Sequence, residues 1–186
     1  LATQNPIENA GTFPLPEAQL DRFLFKLSIG YPDLEAERLV ARGNALTLEV
    51  EKLEPVCSAE EIVEMQRMAS EVTISTAVET YILEIVQATR QDKALLMAAS
   101  PRATIALFKA SKALAAADGR GSVYPEDVKA LLNPVLAHRT LLSPEALLRG
   151  DSVSDVLERT AGRIKPPMVS AAEPAAPARR RTSKAS

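Results

Sequence analysis

Between Val78 and Thr89 the apolar side chains recur at steps of three and four, as Val78, Tyr81, Ile82, Ile85, Val86 and Thr89, while Glu79, Glu84, Gln87 and Arg90 point elsewhere. A stripe of that width needs a partner surface along its whole length, so this segment predicts the core helix of a bundle. Its neighbours carry helix-start signals. Ser75 is placed to cap it, and Ser58-Ala59-Glu60-Glu61 reads as a capping box opening a helix to about Ala69.

Ser100-Pro101-Arg102 combines a capping residue with Pro at the first helical position and predicts a helix from Pro101 to Asp118, stopped at Gly119-Arg120-Gly121. Ile105, Phe108, the Lys112 stem and Leu114 are its expected apolar positions. Pro125-Glu126-Asp127 starts another helix, with Val128, Leu131, Leu132, Val135 and Leu136 inward and a kink expected at Pro134. Ser143-Pro144-Glu145 repeats the start signal, and Val153 to Ile164 forms a last amphipathic piece. With 4% aromatic residues and no Trp, such helices pack through Ala and Leu.

Residues 1–33 read differently. Leu1 to Thr3 suits the end of a strand, Asn5-Pro6 breaks it, and Asn9 to Thr12 is a turn. Pro16 opens a short helix through Leu20, and the alternation of Phe23, Phe25, Leu27 and Ile29 predicts a strand closed by Tyr31-Pro32-Asp33. Leu34 to Arg42 is a short helix ended by Gly43-Asn44. Beyond Lys165 the composition turns to Pro, Ala and the run Arg179 to Lys184, which predicts a disordered tail over 166–186. The absence of Met before Leu1 predicts the downstream part of a longer protein.

The chemistry such a chain can carry is limited. The 22 basic and 24 acidic side chains leave a net charge of -2, so no overall field draws in nucleic acid, and the arginines of the tail read as solvated. Cys57 has no disulfide partner and His138 no Cys or His nearby for a metal site, which predicts no metal ligand set and a cytoplasmic setting. No window is long and apolar enough to span a bilayer. A G-x-x-x-x-G-K-[ST] phosphate loop is absent, as is an acidic pair after a strand to hold Mg²⁺.

Three side chains remain as candidates. Asn5, at a strand-to-loop transition, can position a water or touch a phosphate, although Asn-Pro is ordinarily a turn. Arg22 offers a planar fork suited to phosphate, against the ordinary reading of a surface pair with Asp21 or Glu17. Arg102 sits in a first helical turn, where the dipole disfavours a cation and favours an anion beside it. His138, by contrast, reads as helix surface or as packing between helices rather than catalysis.

Taken together, Ala2-Thr3-Gln4-Asn5-Pro6, Gly11-Thr12, Pro14 to Phe23, Ser100-Pro101-Arg102-Ala103, Pro125 to Val128 and Val135 to Arg139 resemble a MoxR-type AAA+ ATPase over residues 1 to about 140. The resemblance implies a mostly α fold: residues 1–33 as the last piece of the α/β nucleotide-binding core, residues 34–165 as the helical lid with its linker, and the tail. It further implies Asn5 as first sensor, Arg22 as an arginine finger acting in trans on a neighbouring subunit, and Arg102 as second sensor. ATP and Mg²⁺ would be the cofactors, held mainly by an upstream phosphate loop and acidic motif. Assembly would be a ring, by family analogy a hexamer, with partners bearing von Willebrand factor A domains and a chaperone-like role. The rival reading is a non-catalytic helical interaction module that keeps the lid without turnover.

Overall fold

The computed structural model describes residues 1–3, 15–42 and 53–168. Among them the chain is mostly helical, and each main helix starts where a side chain can satisfy its free amides. At the start of α3 (Ala59–Glu71), Ser58 Oγ accepts from the Glu61 amide at 3.1 Å while the Glu61 carboxylate accepts from the Ser58 amide at 2.8 Å. Ser75 caps α4 (Thr76–Gln91), Ser100 caps α5 (Pro101–Ala117), Ser143 caps α8 (Pro144–Leu148) and Ser152 caps α9 (Val153–Gly162). Two short helices precede these, α1 (Glu17–Leu20) and α2 (Leu34–Ala41), and neither buries a residue.

The buried face of α4 is Val78, Tyr81, Ile82, Ile85, Val86 and Thr89, the stripe read from the sequence. It packs on α5, whose buried residues are Ala103, Ala106, Leu107, Ala110, Ser111 and Ala115. This corrects the expected face of α5. Phe108 is only partly buried and Ile105 is exposed, because small side chains let the α4 and α5 backbones approach closely and the larger ones turn to the flanks. Val128, Val135, Leu136, Leu157 and Ala161 complete the same core.

Pro134 does more than kink its helix. The chain divides into α6 (Pro125–Ala130) and α7 (Leu132–Leu136), since the proline ring excludes the carbonyl four residues back, at Ala130, from an uninterrupted helix. A 3-10 turn (Ala137–Arg139) follows. It leads into β2 (Leu141–Leu142), which pairs antiparallel with β1 (Leu95–Met97) in the register Leu95 to Leu142 and Met97 to Leu141. This small sheet lies within the helical body and was not expected from the sequence.

The predicted strand from Phe23 to Ile29 is not formed. Its alternation is real, but among the described residues no strand lies beside it, and a strand without a ladder leaves its backbone groups to water. Leu27 and Ile29 are exposed, and the segment meets the helical body through single contacts such as the Lys26 amide on the Pro134 carbonyl at 2.9 Å. Leu1 to Thr3 is likewise exposed, with no strand partner among the described residues. Residues 4–14, 43–52 and 169–186, and with them Asn5, Gly43-Asn44 and the expected tail from 169 onward, lie outside the described residues.

Candidate functional site

The site is built where α1 meets the start of α5 and the 3-10 turn. Pro16 fixes the approach to α1, and Asp21 ends it as the C-cap. The Asp21 carboxylate does not pair with Arg22. It accepts from the Ser100 hydroxyl at 3.1 and 3.0 Å and from Arg139 Nη1 at 3.2 Å. Ser100 in turn accepts from the Arg102 amide at 3.2 Å, so a single hydroxyl both caps α5 and holds α1.

The Phe23 carbonyl is the second anchor. It accepts from Arg139 Nη2 and lies 2.9 Å from His138 Nε2. Arg139 Nε is 3.2 Å from the same ring nitrogen, which can serve only one of the two partners. The shorter contact assigns the proton to Nε2, donating to Phe23, and leaves Nδ1 as a buried acceptor without a partner. Burial holds the His138 imidazole below its ordinary 6.5, with Arg139 and Lys26 adding repulsion against the helping Phe23 carbonyl and Asp21. Burial also lowers the Arg139 guanidinium, opposed by Asp21.

Beside this network opens a cleft of about 320 Å³ lined by Asp21, Arg22, Leu24, Arg102, Ile105, Ala106, Lys109 and Arg139. Four cations face one carboxylate there, and that carboxylate is already engaged by Arg139 and Ser100. Among the described residues, none of the ion pairs involves Arg22, Arg102 or Lys109. Arg102 occupies the second position of α5, where the helix dipole works against its own charge and for that of an anion. Leu24, Ile105 and Ala106 supply the apolar part of the lining. Chemically, a lining of four cations and one engaged carboxylate suits an anion.

Two of the candidates read from the sequence, Arg22 and Arg102, therefore meet in one place. Lys109, two turns along α5, and the anchoring set of Asp21, Ser100, His138 and Arg139 were not assigned from spacing. They lie up to 118 residues apart in sequence, and the charged ones look like surface residues until the fold brings them together. The clue was compositional: His138 and Arg139 sit directly behind an apolar helix face, where charge is costly unless partnered. His138 is packed between elements, the second of the two placements the sequence leaves open.

Residues 87–160 match the family described as the AAA lid domain, and residues 1–25 match the family described as ATPase family associated with various cellular activities (AAA). The uncharacterised protein YeaC of Bacillus subtilis is 42% identical over 168 residues, covering 90% of this chain and 52% of that protein. Chaperone MoxR1 of Mycobacterium tuberculosis is 37% identical over 180 residues, covering 92% of this chain and 47% of that protein. The crystal structure of a protein from Cytophaga hutchinsonii, named as an ATPase, matches with a TM-score of 0.77 at 34% identity, over 89% of this chain and 53% of that one. The chain spans about half the length of the relatives it matches.

Proposed function

The chain belongs to the MoxR family of AAA+ ATPases, in which it corresponds to the C-terminal part with the helical lid, and from this premise we propose that the whole protein couples ATP binding and hydrolysis to chaperone-like remodelling or maturation of client proteins. The observation that carries this reading is the meeting of Arg22 and Arg102 in one cationic cleft with Lys109. Guanidinium forks match phosphate oxygens, and a site that gathers such charges without neutralising them is suited to a polyanion. A relative named as a chaperone, MoxR1, supports the cellular role.

In this reading Arg22 is the arginine finger, offering its charge in trans to the phosphate chain bound by a neighbouring subunit as negative charge develops in the transition state. Arg102 is the second sensor, and the shared cleft supports its acting on the same phosphates as Arg22. Asn5 is the first sensor, orienting the attacking water. The charges lining the cleft support its taking the phosphates of ATP. Mg²⁺ requires other ligands, because among the described residues no group of three or more His, Cys, Asp or Glu side chains could hold a metal ion. Those ligands and the phosphate loop belong to the remainder of the protein.

An arginine acting in trans requires a neighbouring subunit; by family analogy the assembly is a ring, a hexamer, and proteins with von Willebrand factor A domains are the proposed partners. Residues 1–33 then complete the nucleotide-binding core, 34–165 form the lid with its linker, and 166–186 form the tail. A cytoplasmic setting is proposed for the whole protein; among the described residues no helix is long and apolar enough to cross a membrane.

The test is ATP turnover by the full-length protein carrying Arg22→Ala. The expected loss is about a thousandfold in kcat, while the affinity for ATP stays within about twofold. Undiminished turnover would remove the finger assignment. A wild-type protein that assembles and binds clients without hydrolysing ATP would favour the non-catalytic interaction module instead.

A further inference from the structure

Arg22 is held in place through its neighbours. The Asp21 carboxylate, one residue before it, accepts from Arg139 Nη1 at 3.2 Å, and the Phe23 carbonyl, one residue after it, accepts from Nη2 of the same guanidinium. Arg139 is 4% exposed, so the fork that grips both flanks of Arg22 is itself fixed in the interior. Arg102 is tied to the same carboxylate: Ser100 Oγ donates to Asp21 Oδ2 at 3.0 Å and accepts from the Arg102 amide at 3.2 Å.

We infer that Asp21 and Arg139 form a positioning clamp that sets the Arg22 guanidinium relative to Arg102, so that the finger travels with the helical lid as one body. The inference rests on the reading of Arg22 as a finger. Charge makes a clamp necessary. Arg22, Arg102 and Lys109 repel one another across a small cleft, and Asp21 is the single carboxylate in its lining. Since Asp21 is committed to Arg139 and Ser100, it fixes the backbone that bears Arg22 and leaves that guanidinium to an external anion. The His138 ring on the Phe23 carbonyl and the Lys26 amide on Pro134 extend the attachment on the far side of Arg22. A conformational change that moves α5 therefore moves Arg22 with it.

Two variants of the full-length ring test the clamp. Asp21→Asn keeps the volume and one acceptor while removing the charge, and Arg139→Lys keeps the charge while losing the fork. Each is expected to lower kcat by about tenfold to a hundredfold, as misplacement of a reacting group does, with the KM for ATP within about twofold. Lid motion is read separately, by pulsed EPR distances between spin labels at Glu17→Cys on α1 and Ala113→Cys on α5, in a background with Cys57→Ser and every other native cysteine of the full-length protein replaced. The clamp predicts one narrow distance that is the same with ADP and with a non-hydrolysable ATP analogue, and that broadens in Asp21→Asn. A nucleotide-dependent or broad distance in the otherwise wild-type protein overturns the proposal whatever the turnover. Wild-type kcat in both clamp variants, beside an inactive Arg22→Ala, overturns it as well. If Arg22→Ala stays active, the finger reading has failed and the clamp falls with it. If Arg139→Lys does not fold, Asp21→Asn and the label distances carry the decision.

Discussion

His138 is the single histidine of the chain, and its side chain is of the type that titrates near neutrality. Its imidazole is buried, donates to Phe23 and has no acceptor at Nδ1, so the folded state resists the second proton. The sign follows from linkage. With a folded pKa below the unfolded 6.5, the unfolded chain takes up the proton first as pH falls, and stability present above 6.5 is lost on acidification towards the folded value. Urea midpoints are expected to fall between pH 7 and pH 5, and His138→Gln, which keeps a donor but cannot titrate, is expected to flatten that decline. For Asp92, burial pushes the carboxyl up, but the Ala94 amide, the Thr160 hydroxyl and the charges of Arg163 and Arg159 together hold it below the ordinary range, so it acts at lower pH and leaves the window near 6 to the histidine. A midpoint just as steep in His138→Gln would place the sensitivity elsewhere.

At the scale of elements, α4 and α5 carry the core. Leu107 is fully buried at their contact, and Leu107→Ala is expected to cost about 2–5 kcal/mol, the range for deleting a core leucine. Ile105→Ala, on the exposed flank of the same helix, should cost well under 1 kcal/mol, and equal costs in denaturant melts would contradict the observed face. The comparison also shows how the chain could be read. The α4 stripe and the Ser caps were legible because each is local, a matter of spacing within a few residues. The inner face of α5 was not, since Ala103, Ala106 and Ala110 carry little hydropathy and are buried for their smallness. Phe23 to Ile29 shows the converse, a local alternation that becomes a strand only if another strand lies beside it. The site was half legible. Arg22 stood out as a fork just behind a short helix and Arg102 as one in a first helical turn, but Asp21 and Arg139 gain their meaning from a contact between distant parts of the chain.

For the whole molecule, the core residues run from Val72 to Ile164, and none of them comes from α1 or α2. A fragment of residues 53–168 is therefore expected to fold cooperatively, with a thermal midpoint within about 5 °C of the full chain, equivalent to roughly 1 kcal/mol. A fragment that is molten by near-ultraviolet circular dichroism would show that the earlier residues supply part of the core. The same layout bears on the order of folding. The contact between Arg139 and Asp21 closes a loop of 118 residues, whereas α4 and α5 meet across a short connection. Loop closure costs grow only logarithmically with length, so docking α1 is affordable in free energy, yet it comes late, after the surfaces that receive it exist. Contacts made after the rate-limiting barrier govern how long a state lasts more than how fast it forms. The grip on Arg22 is thus a kinetic latch, whose weakening shortens the lifetime of the docked arrangement and leaves the folding rate of the helical body unchanged.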